Sequence, residues 1–278
     1  MTWRAHLLSS TFELDRLARF LAILREEVAF RTLTERDWLK LGRLLYDQEP
    51  KYSLGSDHNE SGLFAFERAA IELAFPAPPA SILVGGCGGG REIFGLLDRG
   101  YRIAAAYDPV ESFIASLRID PRLSEIRDRL YVGAHQTLES MPALMQLRRD
   151  GAEADAVIVG WSSYTHLRGS ARRVKFLREL RTLCPRGPVL LSFFAEMGSE
   201  PERPARLRAG LRRLFGTTSS MAEWGDGLRR GQGAVHYFTE AAISLEAAQA
   251  GYRVQHWQEH DFAAAHAILA PRALGEEG

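Results

Sequence analysis

The chain has 278 residues, 46% of them hydrophobic and 25% charged, so it is long enough to bury a sizeable core. Its 35 Lys and Arg residues balance its 35 Asp and Glu residues, so we expect neither a nucleic acid nor a membrane surface as partner. No apolar run reaches the ~20 residues that span a bilayer, the N-terminus lacks a signal-peptide core, and the two cysteines suggest no disulfide framework, which together predict a cytoplasmic protein.

The first two predicted elements are amphipathic helices. Ser10 and Glu13 have the spacing of a capping box, and "FELDRLARFLAILREEVAF" continues from there with apolar residues at helical spacing. Thr34 and Asp37 mark the start of a second helix through "DWLKLGRLLYD", which Pro50 would end.

A polar segment, "YDQEPKYSLGSDHNESG", follows the second helix. It is well placed to act as a lid, with Tyr52 and Asn59 as the residues that we expect to bind substrate; the alternative is a solvated linker. A third helix, "LFAFERAAIELAF", ends at the Pro-rich "PAPPA". We therefore predict a helical N-terminal extension or lid over 1–79 and a second domain over 80–278.

Beyond that boundary, short apolar runs alternate with helical segments. The runs are "SILVGG", "RIAAAYD", "LYVG", "ADAVIVGW" and "GPVLLSFF". Because each is almost entirely apolar, we expect an α/β fold with a parallel sheet covered by helices on both faces. "AVHYFT" predicts a further strand, "EAAISLEAAQAG" a helix, and "YRVQHWQEHDFAAAHAILA" one or two strands.

An insertion over 196–233 interrupts this alternation. We predict a basic helix that forms an inserted lid, followed by a loop-like stretch, "SSMAEWGDGLRRGQG". An anionic substrate would suit this charge, although such a run is more often a solvated helix face. The arginines are Arg203, Arg206, Arg208, Arg212 and Arg213, with Arg229 and Arg230 nearby.

A glycine cluster, "GGCGGG", lies between the first strand of the α/β part and the helix that follows it. Glycines at such a junction allow a ligand to approach backbone N–H groups at a helix N-terminus; the alternative is a plain glycine-rich turn. The dinucleotide fingerprint would need glycine at Arg91 or Ile93, so it fails, and no P-loop sequence is present. What remains is a G-x-G-x-G pattern over 86–90.

"ILVGGCGGGREIFGLLDRGYRIAAAYDP" resembles the first motif and second strand of the class I S-adenosylmethionine-dependent methyltransferases. The resemblance implies a doubly wound, mostly parallel seven-stranded sheet with an antiparallel last strand, and S-adenosylmethionine as cofactor. Asp108 stands where the family usually places an acid on the ribose hydroxyls. The cofactor-binding residues that we expect are Gly86, Cys87, Gly88, Gly90, Asp108, Pro109, His135, Gly160 and Trp161.

Two positions depart from the family pattern. Val84 replaces the acid that commonly stands two residues before the first glycine, so a polar contact to the methionine amine is missing or supplied elsewhere. Ala134 replaces an Asp that often lies near the adenine, and His135 or Gln136 would contact the adenine edge instead.

The resemblance implies methyl transfer, which is mainly a positioning task, with a base needed for a hydroxyl or ammonium acceptor. His166 follows the fourth strand and is our candidate base, while Tyr164 on the same loop would position the acceptor. The alternative for each is a structural role in the core or at a helix cap. We expect a small-molecule acceptor, methylated on oxygen or nitrogen in natural-product or specialised metabolism.

Three other interpretations remain open at this point: an NAD(P) oxidoreductase of related fold, a non-catalytic cofactor-binding scaffold, and transfer of another group such as aminopropyl. We expect no metal, because His256 and His260 would lie ~13 Å apart along a strand. The sequence does not indicate the oligomeric state.

Overall fold

In the computed structural model, residues 3–141, 153–196, 223, 225–261 and 264–272 are described. The predicted basic helix of the insertion lies outside these residues. None of the described helices is both long and apolar enough to cross a membrane. The helices are α1 (Trp3–Thr32), α2 (Glu35–Asp47), α3 (Asp57–Glu60), α4 (Ala65–Ala74), α5 (Arg91–Leu97), α6 (Glu111–Ile119), α7 (Ser170–Leu183) and α8 (Glu240–Gln249).

The two N-terminal helices follow the predicted pattern with one correction. α2 begins as expected, since the Thr34 hydroxyl accepts the Asp37 N–H at 3.3 Å and Asp37 Oδ2 accepts the Thr34 N–H at 3.0 Å. α1 begins at Trp3 rather than near Ser10. No Gly or Pro precedes Ser10, so nothing in the local sequence prevents the helix from extending in that direction.

The described strands form one sheet with a parallel centre. β1 pairs in parallel with β2 and β4, β2 with β3, and β4 with β5. The expected doubly wound, mostly parallel α/β fold is confirmed. The strands are β1 (Ser81–Gly85), β2 (Arg102–Asp108), β3 (Leu130–Val132), β4 (Ala156–Val159), β5 (Val189–Ala195), β6 (Asp226–Arg229), β7 (Gly233–Phe238), β8 (Tyr252–Glu259) and β9 (Ala264–Pro271).

The last part of the chain adds an antiparallel strand, as predicted. β9 runs antiparallel to β5 and to β8, which completes a seven-stranded order of β3, β2, β1, β4, β5, β9, β8. β6 and β7 add an antiparallel hairpin, and β7 pairs with the end of β5. The loop-like expectation was therefore wrong at Asp226–Arg229, because pairing with β7 makes a strand of a sequence that contains no apolar alternation.

The central strands are buried on both faces. Leu83, Val157 and Val159 pack in one hydrophobic cluster with residues of α7, while Ile82 and Val84 pack in another with residues of α5 and α6. Successive side chains of a strand point to opposite faces, so helices on both sides of the sheet bury a nearly continuous apolar sequence. The carboxyl ends of β1 to β4 therefore meet at one edge, beside the glycine loop.

Candidate active site

A cavity lies at this edge of the sheet and encloses about 1030 Å³ of empty space, including its opening to solvent. Its walls come from the glycine loop, the segments that follow β2, β3 and β4, helix α2, and the segment around Tyr52. Ten of the residues predicted from the sequence line it: Tyr52, Asn59, Gly86, Cys87, Gly88, Asp108, Pro109, His135, Trp161 and His166.

The glycine loop needs glycine for both conformation and space. Gly86 has a φ of 68° and Gly88 a φ of 50°, in the left-handed region that side chains rarely adopt. A Cβ atom on Gly86 would lie 2.6 Å from Cβ of Ser163. Gly90, with a φ of 95°, does not line the cavity, because it begins α5 and packs against Leu117.

Asp108 is the last residue of β2 and ties the second strand to the glycine loop. Its Oδ2 accepts the Gly88 N–H at 2.9 Å, and its Oδ1 accepts the Val110 N–H at 2.9 Å. Burial raises the pKa of this carboxyl to about 6, although the two N–H groups oppose the shift. The group is therefore a buried carboxylate at neutral pH.

His135 follows β3 and lies in the cavity wall beside Ala134 and Gln136. Its Nδ1 is 2.9 Å from the hydroxyl of Tyr107. Burial lowers the pKa of His135 to about 3, so the imidazole is neutral. This wall of the cavity consequently offers hydrogen-bonding edges without a charge.

Sequence reasoning missed a buried charged cluster next to the glycine loop. Arg91 Nη1 and Nη2 donate to the two oxygens of Glu67 at 2.6 Å each, and Nη2 also donates to Glu92 Oε1 at 2.5 Å. Two carboxylates thus share one guanidinium, which leaves an excess of negative charge. Glu92 lines the cavity, whereas Glu67 does not.

Glu92 lies close to a backbone carbonyl of the loop. A Cβ atom on Gly160 would lie 2.9 Å from the carbonyl oxygen of Gly86 and 3.0 Å from Glu92 Oε1, so the two oxygens approach the same point. Gly160 does not line the cavity, but its lack of a side chain allows this approach. An acid in the first turn of a helix is usually attributed to the helix dipole, so the position of Glu92 did not by itself indicate a binding role.

His166 meets a tyrosine from the N-terminal extension. Its Nε2 lies 2.7 Å from the Tyr46 hydroxyl, and its Nδ1 lies 3.2 Å from the Ala234 carbonyl oxygen. Because a carbonyl only accepts, Nδ1 carries the hydrogen and Nε2 accepts the O–H of Tyr46. Burial lowers the pKa of His166 to about 4, so the ring is neutral with Nε2 unprotonated.

No protein-family model matches the sequence, and no curated protein matches it significantly. Solved structures do match. A methyltransferase from Bacteroides fragilis in complex with S-adenosylhomocysteine has 16% identity and a TM-score of 0.52, over 87% of this chain and 97% of that chain. The methyltransferase CcbJ from Streptomyces caelestis has 16% identity and a TM-score of 0.51, over 83% and 96%.

A third match is the Burkholderia thailandensis N1-methyltransferase of 1,6-didemethyltoxoflavin, with 17% identity and a TM-score of 0.50 over 84% of this chain and 89% of that chain. The chain has the class I methyltransferase fold. The fold expectation drawn from the glycine motif is confirmed, and the edge of the sheet that carries the motif is the edge that holds the cavity.

Within this methyltransferase fold, Tyr164 does not reach the cavity, and its predicted role in positioning the acceptor needs correction. The side chain is fully buried and stacks on Phe238 at a centroid distance of 5.1 Å, with its hydroxyl 3.4 Å from Glu246 Oε2. Ser163–His166 is a 3₁₀ turn, in which successive side chains are rotated by about 120°. His166 therefore faces the cavity while Tyr164 faces the core.

The polar segment after α2 forms part of the cavity wall. The Tyr52 ring lies 5.2 Å from that of Tyr46, and a Cβ atom on Gly89 would lie 2.5 Å from the Tyr52 carbonyl oxygen. The amide of Asn59 donates to the Ser53 carbonyl at 2.6 Å and to the Ser56 hydroxyl at 3.0 Å. Both of these hydrogen bonds stay within the segment, so Asn59 holds the shape of the cavity wall.

Helix α2 covers the other side of the cavity. Its cavity-facing residues recur every three or four positions, as one helix face requires: Glu35, Trp38, Leu39, Gly42, Arg43 and Tyr46. Arg168 lies beneath this face, donates from Nη2 to Glu35 Oε2 at 2.9 Å, and holds its guanidinium 5.0 Å from the Trp38 ring centroid. No motif in the sequence predicts this buried arginine.

The C-terminal histidines do not line the cavity, and Cys87 lines it as a buried thiol. His260 Nε2 is 2.7 Å from His266 Nδ1, and within the described ranges no group of three or more potential ligands could hold a metal ion. Cys87 is buried in the glycine loop, and burial raises the pKa of its thiol well above the usual value. It fills space there as an unionised side chain.

Proposed function

We propose that this protein is an S-adenosylmethionine-dependent methyltransferase that acts on a small-molecule acceptor. One observation carries the proposal: the buried carboxylate of Asp108 is bonded to the glycine loop 20 residues away, at the wall of an enclosed cavity in a class I fold. The cavity is covered by α2 and by the segment around Tyr52. Such an enclosure suits a small acceptor better than a polymer.

The residues present fit the cofactor at both of its ends. Nothing lies within 4 Å of the point where a Cβ on Gly88 would stand, which leaves room for a ligand at the loop. Asp108 would accept the ribose hydroxyls, and His135 would border the adenine. Glu92 and the Gly86 carbonyl would accept the methionine ammonium, in place of the acid that the sequence lacks at Val84. When bound, S-adenosylmethionine supplies an electrophilic methyl group.

We propose that His166 and Tyr46 accept the proton of the methyl acceptor. The Ala234 carbonyl holds the hydrogen on Nδ1, which directs the free electron pair of Nε2 at the Tyr46 hydroxyl. Tyr46 would pass its proton to Nε2 as it takes one from the acceptor hydroxyl or amine. With a pKa of about 4, His166 is available as a base throughout the neutral range.

Calorimetric titration with S-adenosylmethionine, S-adenosylhomocysteine and NADH tests this function. We expect both adenosyl ligands to bind and NADH not to bind, with at least a tenfold loss of affinity in Asp108→Ala. A folded protein that binds neither adenosyl ligand contradicts the proposal. Binding of NADH alone would transfer the proposal to an oxidoreductase. Cofactor binding without methyl transfer to any tested acceptor would favour a scaffold.

A further inference from the structure

Two buried N–H donors lie in the cavity wall on the α2 side, one on the helix itself and one packed against it. Arg168 Nη1 and Trp38 Nε1 have no hydrogen-bond acceptor among the residues that the structure describes. Arg168 is 2% exposed and Trp38 is 6% exposed, and both line the cavity. Buried donors normally find an acceptor, so this pair points to an acceptor that a ligand brings.

Arg168 uses only part of its guanidinium within the protein. Its Nη2 donates to Glu35 Oε2 at 2.9 Å, an oxygen that Arg172 also contacts at 2.8 Å. The other Glu35 oxygen already accepts the Gln136 amide at 3.4 Å. Arg168 Nη1 has no acceptor among the described residues, and a carboxylate, with its two acceptor oxygens, would satisfy this N–H together with that of Trp38.

The cavity that contains this corner also has aromatic walls. Trp38, Tyr46, Tyr52 and Trp161 all line the cavity, with His166 on the same side of the fold as Arg168. Aromatic walls favour a flat, largely apolar ligand body. A ligand that satisfies both the walls and the corner is an aromatic ring that carries a carboxylate.

We propose that Arg168 and Trp38 bind the carboxylate of the methyl acceptor, so that the acceptor is an aromatic carboxylic acid whose hydroxyl or amine is presented to the Tyr46 and His166 pair. This inference rests on the proposed methyltransferase function and names its substrate class. Arg168 bonds to Glu35 of α2, whereas Glu92 and the Gly86 carbonyl lie beside the glycine loop. The two charged corners of the cavity would therefore bind different molecules, the acceptor and the cofactor.

The test titrates protein saturated with S-adenosylhomocysteine against 4-hydroxybenzoate and 4-coumarate, and against their neutral amides. We expect at least one acid to bind at least tenfold more tightly than its amide. Arg168→Met removes the charge and keeps a similar length, and it should abolish this preference. Trp38→Phe keeps the ring and removes the N–H, and a loss of several-fold is expected for the acid alone.

Arg172→Met is the matched control. Arg172 shares the same Glu35 oxygen, but it is half exposed and does not line the cavity. We expect this variant to keep the preference for acid over amide. Binding of S-adenosylhomocysteine by every variant shows that each has folded.

Several outcomes would overturn the inference. Equal binding of acid and amide, or no binding of any acid to the saturated protein, contradicts it while leaving the proposed function intact. If Arg168→Met weakens S-adenosylhomocysteine and spares 5′-methylthioadenosine, the guanidinium binds the methionine carboxylate of the cofactor instead. Failure of S-adenosylhomocysteine to bind the unmodified protein overturns the proposed function and this inference with it.

Discussion

The two sides of the cavity are built in different ways. On the glycine-loop side, Asp108 bonds to Gly88 only 20 residues away, and the turn itself is continuous in sequence. On the α2 side, Tyr46 meets His166 across 120 residues and Glu35 meets Arg168 across 133. The glycine-loop side offers backbone groups and carboxylates, whereas the α2 side offers aromatic rings and a guanidinium. In the proposed function, the local motif would bind the cofactor, and the side built by tertiary contacts would bind the acceptor.

The largest expected effect is on the glycine-loop side, in Gly86→Ala. The left-handed backbone and the 2.6 Å approach to Ser163 both oppose a Cβ there. We expect a loss of S-adenosylhomocysteine affinity of about a hundredfold or more, because the loop must move from its place at the ligand. Calorimetric titration of both proteins with S-adenosylhomocysteine measures this loss of affinity.

Gly100→Ala is the control for this substitution. Gly100 has a φ of 80°, but a Cβ there would meet only Pro78 at an ordinary 3.6 Å. Gly100→Ala should lose about 1–2 kcal/mol of unfolding free energy from backbone strain, and Gly86→Ala should lose more, because the approach to Ser163 adds to the same strain. Only Gly86→Ala should lose ligand binding; equal losses in the two variants would show that strain alone is responsible.

A second prediction concerns Glu92, which we propose binds the ammonium at the methionine end of the cofactor. Glu92→Gln keeps the shape and removes the charge, so S-adenosylhomocysteine should bind about 10 to 100 times more weakly, as expected for a hydrogen bond to a charged group. 5′-Methylthioadenosine has no ammonium and should bind unchanged. Titration of both ligands separates the two effects.

Glu67→Gln is the matched variant for this test. Glu67 bonds to the same Arg91 but does not line the cavity. It should leave the ratio of the two affinities unchanged. If Glu67→Gln alters the ratio as much as Glu92→Gln does, the charged cluster acts through the loop and does not contact the ligand.

The pH dependence of cofactor binding should report Asp108. Its pKa of about 6 is raised above the ordinary 3.8, so the ionised form is disfavoured in the folded protein and folding stability contributed by this group falls as pH rises from about 4 to 6. The ribose hydroxyls would donate to the ionised form. We therefore expect affinity for S-adenosylhomocysteine to increase about tenfold from pH 5 to pH 7.

Asp108→Asn cannot ionise and should remove most of this change. Affinity that is flat across the same range in the unmodified protein would contradict the placement of the ribose beside this carboxyl. Calorimetry in buffers of different ionisation enthalpy also counts the protons released on binding, and that number should approach one near pH 5 and fall above pH 6.

The same contrast explains what the sequence could predict. The glycine loop and the Thr34 cap depend on residues close in sequence and were predicted from the local pattern, whereas Asp108 was predicted from the resemblance that the glycine motif carries. Glu92 lies inside the same motif, but its first-turn position is ordinary for an acid and gave no reason to single it out.

Contacts across long stretches of sequence were not predictable in this way. Arg168 follows His166 by two residues, and an arginine at such a position is expected on the surface. It is buried because α2 packs over it. The β6 strand likewise exists because β7 pairs with it, not because its own residues alternate. In both cases tertiary packing determines the local structure, and local propensity does not predict it.

The smallest effect that we expect is that of removing the Tyr164 hydroxyl, which lies in the core. Removing the Tyr46 hydroxyl, which lies in the cavity wall, is the comparison. Tyr164→Phe removes a hydroxyl whose single described contact, to Glu246, is 3.4 Å long, so we expect the unfolding free energy to change by less than about 1 kcal/mol and ligand binding to stay the same. Tyr46→Phe removes the hydroxyl bonded to His166 at 2.7 Å. Once an acceptor is known, this variant should lower kcat about tenfold or more with little change in KM. A kcat that falls in Tyr164→Phe and not in Tyr46→Phe would reverse our assignment, because it would place the reacting proton on the core side of the 3₁₀ turn.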